Sequence, residues 1–361
     1  MQNVVRDAMA VAIQADQPVL LWSSPGEGKS ALVEQIASQL GRPCEVVIGS
    51  VREASDFAGL PMRTGDSVSF VPPRWARRCE ERPDTIVFFD ELTTAPPSVQ
   101  AAMLRVVLER EVGDLTLPPG VAIVAAGNPP ELSADGDDLA APLANRFCHL
   151  DWRADAAGWT AGMLKGWPSA PLPVVPSDRC SHELRWRALL AGFIASRPSI
   201  LRQVPTDVVG QGRAWPSPRS WDRAHRLAAA ADAAMASKEV RALLVAGMVG
   251  TGPSIELLRY AEMVDLPDPE AVLADPGSFP TDGRGDLLLA TLASITTAVA
   301  AECTQDRWEA AWEVLGRACR AERADIAAVA ATQLLDLRRP EWPAPPAVTA
   351  FAPILRAAAV L

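Results

Sequence analysis

Between Val19 and Leu150 the chain alternates short β-rich runs with stretches whose apolar residues recur at helical spacing. The runs are Val19–Trp22, Cys44–Ile48, Thr85–Asp90, Val121–Ala126 and Phe147–Leu150. Strands separated by helices predict a parallel sheet covered by helices, an α/β class. Two interruptions read as hairpins: Met62 to Phe70, centred on Arg-Thr-Gly-Asp-Ser, and a smaller one over Glu111 to Leu117. Ahead of the first strand, Met1 to Ala15 reads as an amphipathic helix carrying Arg6 and Asp7, without the apolar core and cleavage site of a signal peptide.

After Asp151 the strand signal fades, and the proline-rich stretch Trp167 to Pro176 marks a hinge into a helical region. Cys180 to Ala195 and Arg219 to Val249 carry helical periodicity and are expected to form a small bundle. Leu266 to Gly285, rich in Pro, Asp and Gly, separates a last helical region that ends near Leu361. The expected division is an α/β core over 1–155, a helical lid over 156–250 and a helical C-terminal extension over 251–361. The apolar run Leu287 to Ala301 is shorter than the ~20 residues that span a bilayer, so it reads as a buried helix and no membrane partner is expected.

Composition narrows the function classes. Hydrophobic residues make up 49% and charged residues 22% of the 361, which fits a folded globular protein. A net charge of −10 and a pI near 5.0 argue against a surface built mainly to hold nucleic acid or anionic lipid. The six cysteines form no C-x-x-C pair and no zinc-like spacing with the three histidines, so free thiols in a reducing cytoplasm are expected. Trp308 and Trp312, one helical turn apart, read as core.

The chemistry concentrates after the first strand, in Ser23-Ser24-Pro25-Gly26-Glu27-Gly28-Lys29-Ser30. A glycine-rich turn between strand and helix aims backbone N–H groups and the helix dipole at phosphate oxygens. Ser24, Pro25, Gly26, Glu27, Gly28, Lys29, Ser30 and Ala31 are therefore the candidate ATP-binding residues. Lys29 is expected to reach the β- and γ-phosphates and Ser30 to ligate Mg2+. Ser23 stands where the pattern G-x-x-x-x-G-K-[ST] has its first glycine. The strand Thr85 to Asp90 ends in Asp90-Glu91, with Asp90 expected to hold magnesium and Glu91 to orient the attacking water. Asn128, in Gly127-Asn128-Pro129-Pro130, is placed at the same sheet edge, to read the γ-phosphate or the water; alone it is also an ordinary Asn-Pro turn.

The order of these motifs, closed by Ala144-Asn145-Arg146-Phe147, resembles the AAA+ ATPase core and more particularly its MoxR branch. The resemblance implies that Arg146 is an arginine finger completing a neighbouring subunit's site. It implies also that Arg219, in Trp215-Pro216-Ser217-Pro218-Arg219, contacts the γ-phosphate from the lid, although Arg213, Arg223 and Arg226 are nearby. Ser50 stands where some relatives carry a polar residue that restrains the catalytic glutamate, and surface capping explains it equally well. A homo-oligomer, a hexameric ring, is implied, acting with a partner that contains a von Willebrand factor A domain. The expected function is ATP hydrolysis that remodels or activates that partner. The alternative is a nucleotide-gated scaffold with negligible turnover; a nucleic-acid motor is disfavoured by charge.

Overall fold

The structure is a computed structural model describing residues 2–129, 139–167, 170–264, 266–282, 284–321, 323–349 and 351. Pro130, part of the proline-rich stretch, position 283 of the Pro/Asp/Gly-rich segment and the end of the last helical region lie outside the described residues. The chain divides into two compact units: 1–179 with 201–255, and 180–200 with 256–361.

The first unit is built on a five-stranded parallel sheet in the order β2-β5-β8-β1-β9, flanked by helices. β1 is Val19–Trp22, β2 Cys44–Ile48, β5 Ile86–Asp90, β8 Ala122–Gly127 and β9 Cys148–Asp151. The two antiparallel hairpins are β3 Leu60–Thr64 with β4 Ser67–Val71, and β6 Glu111–Val112 with β7 Leu115–Thr116. Central strands buried on both faces must be apolar throughout, and β1 and β8 are buried at every position. Register sets the working edge: Trp22 pairs with Gly127, and Ile48 with Asp90, so the ends of four strands meet at one rim. Beneath it Phe57, Trp75 and Phe89 pack as mutually tilted or edge-on rings.

Helices cover the sheet. Gln2–Gln14 buries Val5, Ala8, Met9 and Ala12 and packs against β8, β9 and the helix Lys238–Val249. That second helix also lies on β9, where Gly247 permits close approach: a Cβ there would stand 2.6 Å from the His149 carbonyl oxygen and 2.7 Å from Cys148 Sγ.

The second unit, like all described residues after Asp151, contains helices and no strand. Trp308 and Trp312 are fully buried, with Trp342 and Phe351 packed against them at tilted or edge-on angles. The bundle expected of 180–195 with 219–249 is divided between the units. Cys180–Ser196 packs along Gly285–Ala301 in the second, and Pro218–Ala233 along Lys238–Val249 in the first. Periodicity marks a helix's apolar face but does not name what covers it. Among the described residues no helix is long and apolar enough to cross a membrane.

Candidate functional site

The turn after β1 owes its shape to two glycines. Gly26 and Gly28 both adopt φ 82°, a left-handed conformation that glycine takes without steric cost. No atom lies within 4 Å of the position a Cβ would take at either one, so the turn faces open space. Gly28 then caps the helix Lys29–Gln39. Ser23, by contrast, is absent from the positive-φ residues, so a side chain is accommodated there without strain. It is buried, and its amide donates to the Gly127 carbonyl at 3.2 Å.

Two interactions close the site across the rim. Lys29 Nζ donates to Asn128 Oδ1 at 2.7 Å and to the carbonyls of Ser23 and Ser24 at 3.0 and 3.3 Å. Ser30 Oγ donates to Asp90 Oδ2 at 2.8 Å, while Asp90 Oδ1 accepts the Glu91 amide. Burial lowers the Lys29 pKa from its ordinary value, against the opposing pull of Asp90, Glu27 and Glu91. Residues Pro25 to Ala31, Asp90, Glu91, Ala126, Gly127 and Asn128 line one cavity of ≈ 360 Å³. Ser24 stands outside that lining and contributes its carbonyl to Lys29.

Glu91 sits at φ 57°, a left-handed conformation uncommon for a residue with a side chain. Its Oε2 accepts a hydrogen bond from Ser50 Oγ.

Several supporting groups carry no motif. Thr93 Oγ1 accepts the Asn128 amide at 3.0 Å, and a Cβ on Gly127 would stand 2.8 Å from Thr93 Cγ2. Trp152 Nε1 donates to the Glu27 carbonyl at 2.8 Å, and the Ala154 amide to the Glu27 carboxylate at 2.6 Å, tying the turn to the chain after β9. Trp22, at the end of β1, donates Nε1–H to His149 Nδ1 at 2.8 Å and carries the Arg213 guanidinium 4.1 Å above its ring. His149 must then hold its proton on Nε2, 2.9 Å from the Ala144 carbonyl, and burial pushes its pKa down to about 4. An alternation of apolar residues hides such partners, because the partner is chosen by the sheet and not by sequence spacing.

Arg146 and Arg219 are not among the residues that line this cavity. Arg146 donates to the Pro142 carbonyl, and burial together with the Arg219 charge lowers its pKa. Arg219 is the second residue of the helix Pro218–Ala233, whose first turn is capped by Ser217. The structure therefore gathers Lys29, Ser30, Asp90, Glu91 and Asn128 at one cavity and leaves the two arginines, close enough that the Arg219 charge is felt at Arg146, off its lining.

Residues 18–147 match the family model of the AAA domain, dynein-related subfamily. Among solved structures, a candidate ATPase from Cytophaga hutchinsonii matches at 16% identity and TM-score 0.42, over 67% of this chain and 79% of that one. A full-length MCM homologue from Methanopyrus kandleri matches at 14% identity and TM-score 0.37, over 71% of this chain and 53% of that one. No curated protein matches the sequence.

Proposed function

We propose that this chain, whose residues 18–147 form an AAA domain of the dynein-related subfamily, hydrolyses Mg-ATP as part of a ring of identical copies. The observation that carries the reading is the 2.8 Å hydrogen bond between Ser30 and Asp90, residues from separate motifs brought to the mouth of one glycine turn. Their hydroxyl and carboxylate suit magnesium. Among the described residues no group of three or more His, Cys, Asp or Glu would hold a metal unaided, so phosphate oxygens and water would complete the shell.

In this reading the turn Ser24 to Ala31 holds the ATP phosphates through backbone N–H groups, and Lys29 leaves Asn128 to reach the γ-phosphate. Magnesium supplies neutralisation of the phosphate charge. Glu91 orients a water for in-line attack on the γ-phosphorus and takes its proton as the bond to the ADP oxygen breaks. Asn128 senses the γ-phosphate from the adjacent strand end. Arg146 and Arg219, both off the cavity lining and close enough that the Arg219 charge is felt at Arg146, both serve the nucleotide of a neighbouring copy, where fixed guanidiniums suit phosphoryl charge. This reading differs from the role that the family resemblance implies for Arg219, a contact with the γ-phosphate from the lid. The MoxR-like motif order extends the reading to a hexamer that remodels a partner with a von Willebrand factor A domain, in the cytoplasm.

A second reading, a nucleotide-gated scaffold with negligible turnover, is favoured by the Ser50 hydrogen bond that occupies the Glu91 carboxylate. ATP hydrolysis by wild type, Glu91→Gln and Arg146→Ala, with assembly mass measured across protein concentrations, separates the two. The ATPase reading expects turnover in wild type alone, with Glu91→Gln still binding ATP and assembling. Binding without turnover in all three, in every assembly state, overturns it and leaves the scaffold.

A further inference from the structure

Asn145 is only 5% exposed, and both ends of its amide are spoken for. Its Oδ1 accepts the Ser217 hydroxyl at 2.7 Å, and its Nδ2 donates to the Trp215 carbonyl at 3.2 Å. Ser217 at the same time caps the helix Pro218–Ala233. Its Oγ accepts the Ser220 amide at 3.1 Å, and its own amide donates to Ser220 Oγ at 2.8 Å. The residue just before Arg146 and the cap two residues before Arg219 are thus fixed to each other by a buried polar network.

Such a tether has work to do. Arg219 makes no hydrogen bond or ion pair with any described residue, and Arg146 bonds a backbone carbonyl but no carboxylate. The Arg219 charge is felt at Arg146, so two cations without a carboxylate partner are held within reach of each other's repulsion. Nothing in either side chain provides that hold. The corner and the helix start provide it, through the buried Asn145 amide, whose bonds to Ser217 and Trp215 would both be lost if the contact opened.

We propose that Asn145 and Ser217 are positioning residues: their buried hydrogen bond locks the Arg146 corner to the first turn of Pro218–Ala233, so that the two arginines act as a single two-pronged phosphate-binding element. The element meets the ATP phosphates of a neighbouring copy, and the inference rests on the ring reading above. Loosening the latch leaves each subunit's own cavity intact and spoils what the subunit offers its neighbour. A displacement of about 1 Å at such a group lowers turnover by roughly 100-fold.

The test uses the full chain with Mg-ATP. Asn145→Leu removes both hydrogen bonds and keeps the branched shape of the side chain; Ser217→Ala breaks the latch from the other side and carries the test if the first variant fails to fold. Each variant alone is expected to lose turnover by about 10- to 100-fold while binding ATP as wild type does. Each is then mixed with Glu91→Gln subunits, whose own sites are dead but whose arginines are intact. Turnover of the mixture is expected to rise well above that of both components, because the latch variant's sound sites now receive sound arginines. Arg146→Ala mixed with Glu91→Gln is the reference. If that reference recovers and the latch mixtures do not, the latch acts within its own subunit and the proposal is overturned. If the latch variants alone turn over like wild type, it is likewise overturned. If not even the reference recovers, the ring reading fails, and the proposal with it.

Discussion

Ser50 and Glu91, on the turns that follow adjacent strands β2 and β5, are joined by a hydrogen bond from the serine hydroxyl to the glutamate carboxylate. The glutamate is held this way on a left-handed backbone, at φ 57°. A carboxylate in that state has one oxygen committed to a neighbour and not to a water. Ser50→Ala is therefore expected to raise basal ATP turnover by roughly tenfold, since a hydrogen bond to a charged group contributes about 1.5 kcal/mol or more. Steady-state hydrolysis at saturating ATP measures it; unchanged or lower turnover removes the restraint.

Lys29 hands its three protons to Asn128 and to two carbonyls of its own turn. An alanine there forfeits a charge-assisted contact with phosphate, and ATP affinity is expected to fall by about 100-fold or more. Calorimetric titration of Lys29→Ala with Mg-ATP reads the loss. Asn128→Ala keeps the lysine and is expected to retain most of the affinity while losing turnover.

The serine at the head of the turn is tested separately. Because Ser23 has ordinary backbone angles, Ser23→Gly is expected to leave ATP affinity within about twofold and to cost under about 1 kcal/mol of stability through added chain freedom. A large gain in affinity or turnover would show that the serine hinders the site.

His149 gives a pH dependence whose sign is fixed. Its pKa falls from 6.5 to about 4 on folding because burial disfavours the imidazolium. Between those values the unfolded chain carries a proton that the folded chain does not. Stability from this residue is thus complete above pH 6.5 and is lost as pH falls toward 4, on the order of 3 kcal/mol across the window. Denaturant unfolding of wild type and His149→Gln at several pH values isolates it as a difference in slope.

Gly247 is a packing test far from any chemistry. The contacts a Cβ would make with β9 are closer than van der Waals contact, so Gly247→Ala is expected to push the helix Lys238–Val249 outward and destabilise the first unit by about 1–3 kcal/mol. A lowered thermal midpoint with unchanged ATP affinity is the expected pattern.

Much of the first unit was legible in the chain. β1 and β2 run over the residues expected, β5 starts one residue later, and β8 and β9 are each shifted by one residue toward the C-terminus. Both hairpins form, and the candidate phosphate turn, Asp90, Glu91 and Asn128 share one cavity. These were readable because strand burial demands continuous apolar runs and a tight turn demands glycine. Thr93, Trp152 and His149 were not, since each acts on a partner distant in sequence and is an unremarkable residue in its own segment.

What the sequence by itself determined is the local chemistry: which residues must be strand, which turn must be glycine, and which side chains can meet phosphate or magnesium. Tertiary structure alone decided who meets whom. Strand order put β8 between β5 and β1, and so set Asn128 between Lys29 and the carboxylates. The Asn145–Ser217 contact tied the start of the helix that carries Arg219 to the corner that carries Arg146. The second unit took Cys180–Ser196 that periodicity had paired elsewhere. The physical reason is the same throughout. Backbone propensity and apolar spacing act over a few residues, whereas packing is resolved only when every buried surface and polar group must find its partner at once.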